Sequence, residues 1–540
     1  MRIVFVENHD SFSWNVIDVL PVPRETVRVV SSATAIGALD EADALVIGPG
    51  PMDPPRAGLL ELVHAAARRR LPTLGVCLGH QALGLAFGAH LVRTPPAHGK
   101  PAIVHFGGSR LFPTVAGRLE VMRYHSLSLT RVSSPLRVVA ELDDGTVMAV
   151  EHESLPMAGV QFHPDSWGTP KGRALVEAFF HGVGLSTPAP SSSGRAASKA
   201  DDPERRRPPR PAPVEPVALS SLRGLEDFAL LAPGYSDSGQ WTLLTGLEPG
   251  GLDLVSCEAE SREPRWFGGK RRSVALELDV PPARLEPRLA EEGFTTAVGE
   301  VREAVARGDV YQVNLTRRAH LGEVDPAVLL ATVCRREVPR FAAWVKHRAL
   351  GELITASPEL LVELRGRTVR VEPMKGTAAA GQRAWLEASL KDAAELGMIT
   401  DLLRDDLQPL CVPHSVRVVE PRRFIELPYV VQTVSIIEGQ LEATVSADDV
   451  LRRVHPGGSV TGAPREAALS VIARLESSPR RFYCGALGLQ SPEGLRTALL
   501  IRTAWREPSG WLWGVGGGIT WDSEAEAELH ELHLKLGALR

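Results

Sequence analysis

Cysteine and lysine are both scarce in this chain of 540 residues. The five cysteines are scattered, and none stands in the paired spacing of a zinc site or a redox motif. This excludes a disulfide framework and favours a reducing compartment. Only eight of the 60 basic residues are lysine, so a lysine inside a motif is more informative than usual. Lysine, unlike arginine, can readily give up its proton.

Long apolar runs are also missing. No stretch approaches the ~18 residues of a membrane span, and the N-terminus carries Glu7 and Asp10 where a signal peptide needs an apolar core. The 60 basic and 65 acidic residues give a formal charge of −5, which is not the charge of an electrostatic nucleic-acid binder. We therefore expect a cytoplasmic protein that binds neither nucleic acid nor membrane.

Composition divides the chain into two parts. Residues 186–216 are rich in proline, serine, alanine and charge, which predicts a flexible linker. Residues 1–185 alternate apolar segments such as RIVFV, ADALVIG and LPTLGV with helical patterns, which predicts an α/β domain with a largely parallel sheet. Residues 217–540 mix longer helices with strands such as SVALELDV, TVRVEPM, HSVRVVE and VVQTVSIIEG, which predicts a larger layered α+β domain.

Cys77 is the candidate nucleophile of the first part. It lies between Gly75 and Gly79, where a strand is expected to turn sharply into a helix. The helix N-terminus favours a thiolate there and offers amides to an oxyanion. Later in the sequence, His163 and Asp165 of GVQFHPD could orient an imidazole towards that thiolate. The alternatives are a buried structural cysteine and a surface turn at HPD.

Lys375 is the candidate nucleophile of the second part. It follows an apolar strand in VEPMKGT, and we expect it on a loop. In a desolvated pocket its amine would be a nucleophile. In solvent it would be an ordinary loop lysine.

Two carboxylate pairs are spaced for one helix face each: Asp392 with Glu395, and Glu528 with Glu531. Two such pairs could share a Mg²⁺ ion. The alternative is a solvated face with an ion pair between Glu531 and Lys535. Histidines 530 and 533 lack a third ligand for zinc.

The segment HPGGSVTGAPR predicts a glycine-rich turn whose free amides bind an anion. It lacks the lysine and the spacing of nucleotide-binding loops. Arg502, in the apolar segment LLIRTA, needs an anionic partner, either a substrate or a structural salt bridge.

The segments GVCLGHQ, IGPGP, RYHSL and GVQFHPD, preceded by ENHDSFSWN, closely resemble the class I glutamine amidotransferases that partner chorismate enzymes, over residues 1–184. The resemblance implies a flavodoxin-like domain in which Cys77 attacks the side-chain amide of L-glutamine and His163 acts as base and acid. Asp165 stands where the family usually has the longer glutamate. The resemblance also implies an oxyanion hole formed by the backbone amides of Gly50 and Leu78. It implies that the substrate glutamine is held by Gln81, Ser126 and Leu127.

The segments VYQVNLTRR, SPEL, PMKGT, KDAAELGMITDLLRDDL, HPGGSVTGAPR, FYCGALG, IRT and VGGGITWDSEAE closely resemble the chorismate-utilising enzymes, from about residue 294 to the C-terminus. Residues 217–293 then form a first lobe that is short for the family. Aminodeoxychorismate synthases typically carry lysine at the position of Lys375, whereas anthranilate synthases carry alanine. The chain therefore resembles the fused aminodeoxychorismate synthases of p-aminobenzoate and folate biosynthesis, whose product needs a separate aminodeoxychorismate lyase.

This resemblance implies roles for individual residues. Lys375 adds to the chorismate ring with Glu359 as general acid, and ammonia then displaces the lysine to give 4-amino-4-deoxychorismate. The implied ligands of a Mg²⁺ cofactor are Glu395, Glu528 and Glu531. The implied contacts to the rest of the substrate are Gly458, Ser459, Thr461, Tyr483, Gly485, Arg502, Gly517 and Lys535.

Two other functions stay open on the sequence. Anthranilate synthase is one, which Lys375 opposes. The other is a non-catalytic protein that binds chorismate or glutamine. This second alternative is motivated by the short first lobe, by Asp165 and by Gln432. Gln432 stands where many relatives have histidine.

Overall fold

The computed structural model describes residues 1–185, 225–231, 240–244, 254–258, 283–335, 339–347, 351–426, 430–491 and 494–539. The expected linker at 186–216 and the expected strand SVALELDV lie outside the described residues.

The N-terminal domain, residues 1–185, alternates strands and helices as expected. Its helices α1 to α5 span Ser13–Val19, Ser32–Ala38, Leu59–Arg68, Leu78–Ala86 and Gly172–Gly182. Its strands β1 to β9 span Ile3–Glu7, Val27–Ser31, Ala44–Ile47, Thr73–Val76, His90–Phe106, Gly117–Thr130, Leu136–Glu141, Val147–His152 and Met157–Val160.

These nine strands form one sheet in the order β2-β1-β3-β4-β9-β8-β7-β5-β6. The first five are mutually parallel, and the remainder pair antiparallel. The parallel part has the order of a flavodoxin-like doubly wound sheet. Strands β3 and β4 are buried at every position because helices cover both faces. The α/β prediction is confirmed.

The second part of the chain contains the larger set of elements. Its helices α6 to α13 span Phe294–Arg307, Pro326–Cys334, Arg383–Ala388, Leu390–Leu407, Ala447–Val454, Gly458–Thr461, Arg465–Leu475 and Ala525–Lys535. Its strands β10 to β26 span Leu225–Leu231, Gln240–Leu244, Leu254–Glu258, Arg288–Leu289, Gln312–Gly322, Phe341–His347, Gly351–Ser357, Leu360–Arg365, Thr368–Glu372, Met374–Ala379, Arg417–Glu426, Val430–Gln440, Gly462–Ala463, Ala486–Ser491, Gly494–Leu499, Thr503–Glu507 and Gly510–Ile519.

These strands build two antiparallel sheets, which confirms the layered α+β prediction. In the described residues one sheet has the order β10-β15-β16-β25-β26-β14-β13, and the other β12-β11-β23-β24-β17-β18-β21-β19. Strands β10, β11 and β12, from the expected first lobe, thus extend the sheets of the catalytic region. Helices α6, α12 and α13 pack on the first sheet, and α9 packs against β19 and β21 of the second.

Helix α9 (Leu390–Leu407) also contacts the N-terminal domain, at α1 and β5. It is buried almost throughout from Ala394 to Leu407. One buried apolar cluster accordingly contains Phe12, Met122 and Tyr124 of the first domain together with Tyr311 and Met398 of the second. The two domains therefore share a core, and α9 lies between them.

Two local predictions were wrong. Lys375 lies in strand β19 and not on a loop, because after Pro373 the chain resumes pairing, with β21. The HPGG segment contains the helical turn α11 instead of an open turn. No helix among the described residues is long and apolar enough to cross a membrane. Among these residues, cysteines 77, 334, 411 and 484 form no disulfides.

Gly79 is a position where the fold requires glycine. A Cβ added there would lie 2.3 Å from the carbonyl oxygen of Ile47, whereas one added at Gly37 in α2 would meet nothing within 4 Å. We predict that Gly79→Ala lowers the free energy of unfolding by about 1–3 kcal/mol through overpacking. Gly37→Ala, the control, raises it by about 0.5–1 kcal/mol. Urea denaturation followed by circular dichroism measures both, and equal stability of the two variants would contradict the prediction.

Candidate active sites

Cys77 stands at the corner between β4 and α4, as predicted. Its φ is +53°, in a region that non-glycine residues rarely adopt. The glycines make the corner possible, since a Cβ on Gly75 would lie 2.4 Å from the backbone of Gly79. Such strain is typical of a functional side chain held in a fixed direction.

His163 and Asp165 lie beside this cysteine, both fully buried. Nδ1 of His163 is 3.3 Å from Oδ1 of Asp165 in an ion-pair contact, although neither carboxylate oxygen has an aligned hydrogen-bond donor among the described residues. Burial alone would lower the pKa of His163, but the charges of Asp165 and of the Cys77 sulfur raise it well above its ordinary value. The three side chains are therefore arranged to stabilise an imidazolium next to a thiolate.

Several polar groups surround the thiol. Gln161, which sequence reasoning did not single out, places Nε2 3.6 Å from the sulfur and also accepts a 3.2 Å hydrogen bond from Gln81. Gln81 also donates to the carbonyl of Leu127, at 3.2 Å. The structure therefore brings Gln81 and Leu127 to Cys77 as expected. Gln161 stands in the quoted segment GVQFHPD, but the residue type alone gave no sign of its role.

The two expected oxyanion donors are neighbours. An added Cβ on Gly50 would lie 2.8 Å from the Leu78 side chain, so only glycine permits this approach. Leu78 is the first residue of α4, and its amide therefore has no acceptor within the helix. The Leu78 amide thus lies next to Cys77 with no intrahelical bond, and the oxyanion role of the two amides stays a prediction.

Ser126 lies at the contact with the second domain, and its role in glutamine binding stays a prediction. Its hydroxyl donates a 2.6 Å hydrogen bond to the carbonyl of Val305 in α6 and lies 3.3 Å from Nε2 of His98. Ser126 thus contacts the second domain, while the next residue, Leu127, accepts the hydrogen bond from Gln81.

Aromatic rings continue from the triad into the second domain. The rings of Phe12 and Tyr124 lie 5.4 and 4.9 Å from that of His163. Tyr311 of the second domain stacks on Phe12 at 5.8 Å and donates a 2.6 Å hydrogen bond to Asp10. Burial raises the pKa of Asp10 to about 6.

A second constellation surrounds Lys375. Its Nζ lies 3.7 Å from Oε2 of Glu395, and each side chain is 9% exposed. They meet above Gly518, where a Cβ would lie 2.9 Å from Nζ and 3.0 Å from that oxygen. The glycine run before Ile519 therefore leaves room for the amine and the carboxylate. The sequence had indicated only a substrate contact for this run, at Gly517.

Glu359 is buried near this lysine. Ser459 of α11 donates a 2.7 Å hydrogen bond to it. Burial raises the pKa of Glu359 to about 7, although Ser459 and Lys375 oppose the shift. A carboxyl group with this pKa can hold a proton near neutral pH and deliver it.

The carboxylates of α9 and α13 meet through lysines. Lys391, which sequence reasoning did not select, lies 2.6 Å from Glu528 and 3.7 Å from Glu395. Lys535 lies 2.8 Å from Glu531 and is the main cause that lowers the pKa of Glu531 to about 2. The ion pair between Glu531 and Lys535, which belonged to the alternative to a metal site, is thus present.

Glu528 is the carboxylate best placed to accept a cation. Its Oε2 is buried and has no hydrogen-bond partner in the part of the chain that the structure describes, and the adjacent Gly517 has no side chain to cover it. Carboxylate oxygens are the ligands that Mg²⁺ prefers. Asp392 does not join this set, because its carboxylate accepts from the Ser389 hydroxyl at the start of α9.

The remaining expected contacts are distributed as follows. Thr461 donates to the carbonyl of Gly457 at 3.0 Å, and Lys535 donates to the carbonyl of Gly516 at 2.7 Å. Tyr483 packs on Gly514, and burial raises its pKa. The amide of Gly485 donates to the carbonyl of Phe482, and Gly458 packs against Leu402. Arg502 lies immediately before β25, with φ at +50°.

Gln432 fills the position in β21 at which sequence reasoning noted a departure. Its Nε2 lies 3.4 Å from the hydroxyl of Thr377, opposite β19, which carries Lys375. A neutral amide thus stands at this position of β21, where a histidine would have offered a base.

Family models match both domains. Residues 251–540 match the model described as chorismate binding enzyme, and residues 4–183 match glutamine amidotransferase class-I.

The matches to known proteins cover different shares of this chain. Aminodeoxychorismate synthase of Streptomyces griseus is 28% identical, and the match covers 100% of this chain and 95% of that protein. The aminodeoxychorismate synthase of Streptomyces pristinaespiralis is 29% identical, over 100% of this chain and 97% of that protein. Anthranilate synthase component 1 of Spirochaeta aurantia is 32% identical, but over only 53% of this chain and 60% of the relative.

Proposed function

This chain belongs to the chorismate binding enzyme family, and on that premise we propose that it is a glutamine-dependent aminodeoxychorismate synthase. It would take the amide nitrogen of L-glutamine and transfer it to chorismate, giving 4-amino-4-deoxychorismate. A separate lyase would convert this product to p-aminobenzoate for folate synthesis. Relatives of this name align over the whole chain, whereas the anthranilate synthase match is partial.

One observation supports the proposal: the groups around Cys77 and the groups around Lys375 both extend to the interface between the domains. Tyr311 stacks beside the His163 cluster and also lines a small interdomain cavity together with Glu395 and Lys391. Glu395 in turn contacts Lys375. Ammonia released at Cys77 would cross this interface to reach the second site.

The first half-reaction uses the Cys77 triad. The thiolate forms a bond to the amide carbon of glutamine, and backbone amides hold the oxyanion. His163 gives its proton to the departing ammonia, which leaves a thioester. Water, deprotonated by His163, then hydrolyses the thioester to glutamate and restores the thiol.

The second half-reaction uses Lys375. Its neutral amine forms a C–N bond to the ring as the C–O bond of the ring hydroxyl breaks, and Glu359 donates the proton that lets water leave. Ammonia then displaces the lysine nitrogen and restores the free amine. Burial of Glu359 keeps its proton available near neutral pH.

We also propose that Glu395, Glu528 and Glu531 hold Mg²⁺. The ion would bind a carboxylate of chorismate and neutralise its charge in the buried site. Oε2 of Glu528, which has no hydrogen-bond partner among the described residues, supports this. The described residues contain no ready-made group of three metal ligands, so the ion would have to draw these carboxylates away from Lys391 and Lys535.

Replacing Cys77 with serine tests the division of labour. We predict that Cys77→Ser abolishes glutamine-dependent product formation while ammonium-dependent formation stays within about 2-fold, because the second site is untouched. Products are identified by chromatography and mass spectrometry after incubation with chorismate, Mg²⁺ and either nitrogen source. Simultaneous loss of both activities in a folded variant would refute two separate sites.

Replacing Lys375 with alanine tests covalent catalysis. We predict that Lys375→Ala lowers aminodeoxychorismate formation from ammonium at least about 100-fold, while glutamine hydrolysis is retained. Lys171→Ala, on the exposed start of α5, is the control. Unchanged aminodeoxychorismate formation by the Lys375 variant would exclude the lysine as nucleophile.

Metal binding has a direct test. We predict that Glu528→Gln weakens Mg²⁺ binding, measured by calorimetric titration, at least about 10-fold because a carboxylate ligand is lost. Glu526, two residues earlier in α13, is exposed, so the control Glu526→Gln leaves the affinity unchanged. Equal affinities of the two variants would place the ion elsewhere.

A further inference from the structure

Gln161 stands beside Cys77 because two neighbouring parallel strands end at the same edge of the sheet. Strands β4 and β9 pair with Val76 opposite Val160, and the amide of Cys77 donates a 2.8 Å hydrogen bond to the carbonyl of Val160. The next residue of each strand therefore leaves the sheet at the same point. One is Cys77 and the other is Gln161, whose Nε2 lies 3.6 Å from the sulfur.

The orientation of the Gln161 amide is fixed by a second glutamine. Gln81 donates a 3.2 Å hydrogen bond to Oε1 of Gln161, so the NH₂ end of that amide is the end turned towards the sulfur. Gln81 is itself held, since its Nε2 also donates to the carbonyl of Leu127. Both glutamine side chains are buried, so these bonds form away from water. A chain of hydrogen bonds therefore runs from Leu127 through the two glutamines to the nucleophile.

The sulfur of Cys77 needs different partners in its two protonation states. As a thiol it donates to the carbonyl oxygen of Tyr124, at 3.6 Å. A thiolate has no hydrogen to donate, and the same carbonyl then faces a negative charge. The amide of Gln161 can donate to either form, and it binds the anion more strongly because a hydrogen bond to a charged group is roughly twice as strong as one between neutral groups. Cys77 is 4% exposed, so water can contribute little to holding that charge.

We propose that Gln161 is a further catalytic residue of the glutaminase half-reaction: its side-chain amide donates a hydrogen bond to the Cys77 thiolate and stabilises it. The inference rests on the proposed function for its activity measurements. No bond of Gln161 changes in the step, because the thiol proton passes to His163 and the sulfur forms its bond to the amide carbon of the substrate. Gln81 orients the donor, so the residues expected to bind glutamine are connected to the nucleophile through one pair of amides.

The pH dependence of Cys77 alkylation measures this role. Loss of a donor to the thiolate disfavours the charged form, so the thiolate forms at higher pH. Substitution at position 161 leaves the charged and titratable groups around Cys77 in place. These groups are His163, Asp165, Asp10, His80, His98, Tyr124, His125, Tyr311 and Asp401. A residue that only supports the fold would lower activity without moving this midpoint.

The experiment compares Gln161→Met and Gln161→Glu in the full chain, with Gln408→Met as control. Methionine removes both polar atoms of the amide, whereas glutamate keeps an acceptor for Gln81 and replaces the donor. Gln408 is also fully buried, and neither polar atom of its side chain has a hydrogen-bond partner among the described residues. Alkylation of Cys77 by iodoacetamide is followed against pH by mass spectrometry of the Cys77 peptide. Glutamine hydrolysis and ammonium-dependent amination are measured on the same proteins.

We expect Gln161→Met to raise the midpoint of Cys77 alkylation by about 1 pH unit, with the rate of the parent at alkaline pH, where the thiolate is complete. Below the midpoint, kcat for glutamine hydrolysis should fall about 10-fold, as the thiolate fraction does, with a smaller change in KM. Gln161→Glu should raise the midpoint at least as far, because a carboxylate beside the sulfur repels the thiolate. Ammonium-dependent amination within about 2-fold of the parent shows that the variants are folded. The control should match the parent.

Two results would overturn the inference. One is a midpoint like that of the parent in both variants. The other is a midpoint that Gln161→Glu restores, which would mean that Gln161 serves only as an acceptor for Gln81. The glutamate variant, which keeps the size of the parent side chain, decides the outcome if the methionine variant does not fold. A parent whose Cys77 titrates but which does not hydrolyse glutamine would refute the proposed function instead, while the alkylation midpoints would still decide the role of Gln161.

Discussion

Burial of helix α9 between the two domains is the constraint on which the rest of the structure depends. A helix buried on all sides must satisfy every polar group it carries. Its acidic residues find their partners in both domains: Glu395 at Lys375, Asp401 at Tyr124, and Asp405 at the amides of Trp14 and Asn15. Asp405 thus caps α1, whose own first residues supply no side-chain cap. The contacts that dock the two domains are thus made by the same helix that carries Glu395.

The local chemistry could be predicted from the sequence. Two glycines around Cys77 indicated a corner too tight for side chains. The structure confirms this, because a Cβ on Gly75 would lie 2.4 Å from the backbone of Gly79. The scarcity of lysine was equally informative, since Lys375, Lys391 and Lys535 all lie among the carboxylates of the second site. Lys391 was nevertheless missed, because its contact to Glu528 joins two helices that are 137 positions apart in the chain.

The interface could not be predicted in this way. Asp401 and Arg404 of α9 stand in a run of acidic and basic residues that is typical of a solvated helix face. Their partners in the first domain, Ser166 and Asp165, are more than 230 positions away. The position of Lys375 in a strand was missed for a related reason, since pairing with β21 is a long-range contact that local propensity does not encode. Spacing identifies the chemistry of single motifs, and tertiary pairing decides where they meet.

The most direct test of the account concerns the origin of the transferred nitrogen. The full chain would be incubated with chorismate, Mg²⁺ and glutamine labelled with ¹⁵N in its side-chain amide, in the presence of unlabelled ammonium. The account predicts aminodeoxychorismate that carries predominantly ¹⁵N, because ammonia released at Cys77 enters the second site across the interface. Product whose label only reflects the mixed pool of ammonia in solution would contradict a coupled pair of sites, and anthranilate as the product would contradict the role of Lys375.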